Sequence, residues 1–191
     1  MKKKDQELRE KITSKKTLFQ GKIFDTELWQ VVLPNGKTVS REAVIHPGGV
    51  SVFALCNNAT VPLVKQHRVV GGDVLWELPA GKLEPSENPV EGIKRELEEE
   101  VGLVAENWEP LITFYPTPAY CSEQIHLFYA NNIRKTKQHL DEDEFLQVHF
   151  FTLEELREMI RKREITDGKT LVGIFLAFEK MKTNKSIVSN E

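Results

Sequence analysis

The stretch from Gly81 to Leu103 reads GKLEPSENPVEGIKRELEEEVGL and ends in a crowd of carboxylates, Glu96, Glu98, Glu99 and Glu100. Pro89 stands where a helix tolerates proline, in its first turn, and Gly102 stands where a helix ends in a left-handed glycine, so residues 88–101 are expected to be helical. Like charges at helical spacing repel, so the helix carries a cost that something must offset. At about 100° per residue, Glu96, Glu99 and Glu100 fall within about 100° of one another. Val90, Ile93, Leu97 and Val101 form the neighbouring apolar face, while Glu91, Lys94 and Glu98 point toward solvent. Three carboxylates are thus pressed against the face that must be buried, where repulsion is worst. All-oxygen ligands at close quarters suit hard divalent cations such as Mg²⁺, Mn²⁺ or Ca²⁺. Arg95 lies beside Glu99 and could orient a carboxylate. The plainer alternative is a solvated acidic helix.

The rest of the chain supplies strands on both sides of this helix. Residues 1–16 read as polar, helical or frayed, and residues 17–47 as β structure. Within the latter, LWQVVL and KTVSREAVI flank Pro34-Asn35-Gly36, a hairpin signal. Residues 50–56 and 60–69 are rich in β-branched residues, with Asn57-Asn58 turning between them. Residues 73–81 read as a short strand that breaks at Pro79. Residues 108–115 and 123–130 read as further strands, and residues 139–151 as an acidic loop. Thr152 with Glu155 forms a capping box for a helix over 153–162. A last helix covers about 169–182, with a polar tail after it. Strands and helices are mixed without regular alternation, which implies an α+β chain and excludes a doubly wound fold. The boundaries expected are 1–47 for an N-terminal tail and β element, 48–183 for the main domain and 184–191 for the tail.

Of the chain's 191 residues, 40% are hydrophobic and 29% charged, enough to build a core and too apolar for general disorder. A net charge of −3 without a basic, aromatic cluster disfavours nucleic acid as a partner. MKKKDQELREKITSKK lacks the apolar core of a signal peptide, and no apolar run reaches membrane-spanning length. Cys56 and Cys121 read as free thiols, which suits the cytoplasm. His67, His126 and His149 have no metal-type spacing, His139 lies on the acidic loop, and Trp29, Trp76 and Trp108 read as core or interface aromatics.

Gly81, five residues, Glu87, seven residues and then REL-EEE-VGL over 95–103 resemble the signature of the Nudix hydrolases at every specified position. The resemblance implies an α/β/α sandwich with a mixed sheet and a reaction that cleaves a nucleoside diphosphate linked to another group. By position, Glu96, Glu99 and Glu100 would hold divalent ions, Mg²⁺ or else Mn²⁺, with the backbone carbonyl of Ala80 as a further ligand. Glu87 and Arg95 would hold loop and helix in place for catalysis. Pro118, 15 positions beyond Leu103, resembles the ADP-ribose pyrophosphatase subgroup, as do WELPAGKLEP and Arg41-Glu42 followed by His46-Pro47-Gly48. In that subgroup N-terminal strands are exchanged between two subunits, so a homodimer is expected. By the same resemblance Arg41 and Arg68 would contact the adenosine diphosphate, and Glu123, with Glu77 a weaker candidate, would contact substrate. Taken alone, Arg41 reads as a hairpin surface residue and Arg68 as a strand end. The catalytic glutamate of the late loop falls best on Glu142, with Glu144 second. The expected reaction is hydrolysis of ADP-ribose to AMP and ribose 5-phosphate. A broader nucleotide-sugar pyrophosphatase, for instance one taking a GDP-sugar, stays open. So does a non-catalytic nucleotide sensor, disfavoured by the intact glutamates.

Overall fold

Two adjacent parallel strands, Gly49–Ala54 and Ile125–Lys135, are the structural centre of the computed structural model, which describes residues 3–140, 142 and 144–188. In chain order the strands are β1 (Lys11–Gln20), β2 (Asp25–Val32), β3 (Thr38–Ile45), β4 (Gly49–Ala54), β5 (Thr60–Arg68), β6 (Asp73–Glu77), β7 (Ala80–Lys82), β8 (Leu103–Phe114), β9 (Ile125–Lys135) and β10 (Leu146–Thr152). The helices are α1 (Pro89–Val101), α2 (Leu153–Arg161) and α3 (Gly168–Val188), and a 3₁₀ segment covers Lys3–Leu8. By contact the chain divides into two units. One is Met1–Gly48 with Thr117–Gln124; the other is Gly49–Pro116 with Ile125–Glu191.

In the larger unit, β7-β4-β9-β8 form one sheet and β10-β5-β6 another. Every residue of β4 is buried, which suits a strand covered on both faces. Alternate side chains divide between two cores. Val50, Val52 and Ala54 of β4 and Phe128 and Ala130 of β9 pack with Ile93, Leu97 and Val101 of α1. Phe53, Leu127 and Tyr129 pack on the opposite face with Ile174, Ala177 and Phe178 of α3 and with Leu156 and Met159 of α2. Burial of each large aliphatic of α1 contributes about 2 kcal/mol, so the helix is held chiefly by its apolar stripe. The unit is an α/β/α sandwich with a mixed sheet, within an α+β chain.

The smaller unit is the antiparallel meander β1-β2-β3. The segment 117–124 joins it through hydrogen bonds from Val44 N–H to the Tyr120 carbonyl and from Ser122 N–H to the Val44 carbonyl. Among its described residues only Val31 and Gly48 are buried, and β1 is exposed along its whole length. Ile12, Leu18, Phe19, Ile23 and Phe24 are all more than a third exposed.

Several local expectations need correction. Residues 11–16 are the first half of β1, not helix, because they pair with β2 from Lys11↔Val32 onward. Residues 146–151, expected within an acidic loop, belong to β10, which pairs with β5 from Leu146↔Gln66 to Thr152↔Thr60. Strand β8 begins at Leu103, five residues before the aromatic run at Trp108, since Leu103 and Ala105 pack against the α1 core. The break at Pro79 is succeeded at once by β7, three residues paired with Gly49–Ser51.

Candidate active site

Helix α1 starts as its residues dictate. Asn88 caps it by accepting from the Val90 N–H at 2.9 Å, and Pro89 occupies the first turn. It ends at Gly102 in the left-handed conformation, φ +68°, where the chain needs a glycine also for space, since a Cβ would lie 2.9 Å from the Gln138 nitrogen. The segment after β9 closes this end: His139 N–H bonds the Glu99 carbonyl, and the Gln138 side chain donates to the Glu100 carbonyl at 2.6 Å. The apolar stripe then decides where the glutamates point. Glu96 and Glu100 are buried, Glu99 half-buried, and Glu91 is exposed and paired with Lys94. Glu98, expected to face solvent, is half-buried and accepts from the Thr136 hydroxyl at 3.1 Å.

The glutamates are short of positive charge. Arg95 serves three of them: Glu87 at 3.2 Å, Glu96 at 2.8 Å and Glu99 at 2.9 Å. Glu100 meets the Ala80 N–H at 3.0 Å. Burial pushes the Glu96 carboxyl up to about 7, with the like charges of Glu99 and Glu144 adding to it and Arg95 opposing. Burial pushes Glu100 up to about 8, with Glu96 and Glu144 adding and the Ala80 N–H opposing. Such carboxylates favour either a proton or a cation. Gly81 leaves the space that Glu96 fills: a Cβ there would lie 1.9 Å from the Glu96 Cδ. Among the described residues no three acidic, histidine or cysteine side chains are gathered closely enough to ligate one ion as they stand. The donor set nevertheless fits a hard cation, because it is all oxygen, crowded, and, among the described residues, directly ion-paired to Arg95 alone.

The turn before the helix is fixed from β4. Val52 N–H and the Ser51 hydroxyl both donate to the Pro79 carbonyl, at 3.1 Å each. Two residues earlier Glu77 is buried and receives Arg68 in a two-pronged pair, Nε to Oε1 at 2.7 Å and Nη2 to Oε2 at 2.8 Å. The Arg68 side chain stays 45% exposed and feels the charge of Glu100, which puts this guanidinium beside the carboxylate site.

The larger unit therefore holds Arg68, Ala80, Arg95, Glu96, Glu99 and Glu100, together with the two loop glutamates. Of these two, Glu144 is half-buried and its charge bears on both Glu96 and Glu100, whereas Glu142 is exposed. Arg41, Pro118 and Glu123 belong to the smaller unit. There Arg41 pairs with Glu10 at 2.6 Å, Pro118 is exposed, and Glu123 lies 3.8 Å from His46 Nδ1. Sequence reading missed Lys169, which pairs with both Glu77 and Asp167, and no local pattern marks it.

The fold is similar to that of a solved structure described as an ADP compounds hydrolase, with a TM-score of 0.81 over 93% of this chain and 97% of that one, at 21% identity. The chain is 40% identical to the ADP-ribose pyrophosphatase of Bacillus subtilis (strain 168) over 87% of its length and 91% of the relative's. It is 39% identical to the methanol dehydrogenase activator of Bacillus methanolicus, covering 86% and 90%. The NUDIX domain model matches residues 45–171, a span that takes in α1, its carboxylates and Arg68. On that match and these identities, the chain belongs to the Nudix family.

Proposed function

We propose that the protein is a divalent-metal-dependent pyrophosphohydrolase that splits ADP-ribose into AMP and ribose 5-phosphate. The observation that carries the reading is the intact, buried carboxylate set of α1 in a chain 40% identical to an ADP-ribose pyrophosphatase. Water adds its oxygen to one phosphorus, the bridging P–O bond breaks, and the leaving group is a phosphate monoester. Glu96, Glu99 and Glu100, with the Ala80 carbonyl, would hold Mg²⁺ or Mn²⁺. Bound there, such an ion supplies neutralisation of the phosphate oxygens and lowers the pKa of water.

The chain's own residues do the rest. Arg95 and Glu87 brace the glutamates that hold the ion. Arg68, fixed by Glu77 along one edge, keeps its remaining N–H donors for a diphosphate oxygen. Glu144 takes the proton of the attacking water; its charge reaches Glu96 and Glu100, and this favours it over the exposed Glu142. Arg41, Pro118 and Glu123 are substrate contacts in this reading. The smaller unit, with only Val31 and Gly48 buried among its described residues and a row of exposed apolar side chains, is covered by a second copy in a homodimer that exchanges the N-terminal strands. No helix among the described residues is long and apolar enough to cross a membrane, and the reading places the enzyme in the cytoplasm.

Hydrolysis of a panel tests the proposal: ADP-ribose, GDP-mannose, UDP-glucose, NADH and diadenosine polyphosphates, each with Mg²⁺ and with EDTA, products identified. The expected result is Mg²⁺-dependent release of AMP from ADP-ribose above all others. Preference for GDP-mannose would replace the substrate and keep the chemistry. Tight binding without turnover would overturn the enzyme reading. The likeness to a methanol dehydrogenase activator gives one further arm, addition of the protein to a methanol dehydrogenase assay.

A further inference from the structure

We propose that Lys169, on the first turn of α3, is a positioning residue that sets Arg68 for the diphosphate of the substrate by clamping Glu77 at Oε2; this rests on the pyrophosphohydrolase reading above. Glu77 is 1% exposed and is gripped by two cations from distant parts of the chain. Arg68, at the end of β5, bonds both of its oxygens, and Lys169 bonds Oε2. Lys169 is itself fixed, its side chain only 14% exposed and its ammonium 3.1 Å from Asp167 Oδ1. Asp167 in turn accepts from the Thr170 N–H at 2.9 Å and its hydroxyl at 2.7 Å, so the start of α3 holds it. The Thr170 hydroxyl closes the frame by accepting from the Leu78 N–H at 2.8 Å, one residue beyond Glu77.

This clamp has two physical consequences for Arg68. First, a carboxylate on three rotatable bonds does not by itself hold a guanidinium plane. Pinned on its second oxygen from α3, it does, and the plane of Arg68 is then set through the two parallel hydrogen bonds. Second, a lone buried Glu77 would cancel the charge of its arginine. Lys169 takes a share of that charge, so Arg68 retains positive potential on its exposed edge. That edge carries the Nη1 hydrogens and one of Nη2, since Nε and the other Nη2 hydrogen are spent on Glu77. A lysine that merely neutralised a buried carboxylate would matter to stability and not to ligand binding.

The test compares Lys169→Met and Lys169→Arg, each with Arg68 intact and with Arg68→Met. Steady-state kinetics on ADP-ribose with Mg²⁺ are paired with calorimetric binding of inorganic pyrophosphate in EDTA. Lys169→Met should raise KM and the pyrophosphate Kd about tenfold, as expected for weakening one charge-assisted hydrogen bond, with kcat changed by no more than about threefold. Lys169→Arg should recover most of the loss, and in the Arg68→Met background Lys169→Met should add nothing. Unchanged KM and Kd alongside a lowered melting temperature would overturn the proposal. So would an equal loss in both backgrounds, which would make Lys169 act without Arg68. Should Lys169→Met not fold, Lys169→Gln carries the same expectations. A wild-type enzyme inactive on ADP-ribose would defeat the functional reading instead, and the pyrophosphate arm would still decide the role of Lys169.

Discussion

Gly81→Ala separates catalysis from stability at the carboxylate site. Gly81 is not among the glycines with positive φ, so alanine fits its backbone. Losing a glycine from the unfolded chain then favours folding by about 0.4–1 kcal/mol. The added methyl, however, would lie 1.9 Å from the Glu96 Cδ, and ordinary contact begins at 3.4 Å. The neighbour is the end of a flexible side chain, so it can retreat, and Glu96 must leave its place. A misplacement of about 1 Å at a reacting centre costs about 10²-fold in rate. We therefore expect kcat/KM on ADP-ribose to fall about 100-fold or more, with a higher Mg²⁺ requirement and an unchanged or slightly raised melting temperature. The assay is phosphatase-coupled hydrolysis across a Mg²⁺ titration, beside thermal melts in EDTA. Activity near wild type would show that Glu96 does not serve the reacting centre. Loss of activity that merely tracked a fallen melting temperature would refute the steric reasoning.

The same geometry sets other expectations. Glu100→Gln should reduce turnover by about 10²–10³-fold, the scale for losing one group that stabilises transition-state charge. Metal-free, it should be more stable than wild type at pH 8 and equal to it near pH 4. The reason is that a carboxyl raised from 4.5 to about 8 keeps its proton in the folded protein, and wild-type stability is lost as pH rises through that window. Melts of both proteins in EDTA across that range check this; parallel curves would refute it. Because protons compete for Glu96 and Glu100, raised to about 7 and about 8, the half-saturating Mg²⁺ concentration in thermal-shift titrations should fall as pH rises from 6 to 8. Glu144→Gln should lower kcat far more than Glu142→Gln; the reverse order would move the base to Glu142. Deleting residues 1–47 should abolish dimerisation in sedimentation experiments, and a fully active monomer would exclude strand exchange.

Local chemistry made much of the site legible beforehand. Pro89 and Gly102 delimit α1 through their own backbone needs, and the period of Ile93, Leu97 and Val101 settles which glutamates lie beside the core. The Thr152–Glu155 capping box is likewise complete within four residues, and it forms as read. The elements that escaped reading depend on partners far along the chain. Residues 11–16, the first half of β1, are Lys-rich with Ile12 their single aliphatic side chain, and only the ladder with β2 makes them strand. β7 is three residues after a proline, held by β4. β10 needs β5, its partners lying 80 to 92 positions earlier, before its alternation means anything.

Within the site the division is the same. The crowding of the carboxylates is written in the residue order alone, because the spacing of glutamates on a helix is a local quantity and the apolar stripe orients it. How the charges are shared is a property of the folded chain. Folding brought Arg95 between three carboxylates, seated Glu96 over a glycine 15 positions earlier, and set Lys169 against Glu77 across 92 positions. Electrostatic energy depends on distance through space and on burial, and neither can be read along the chain.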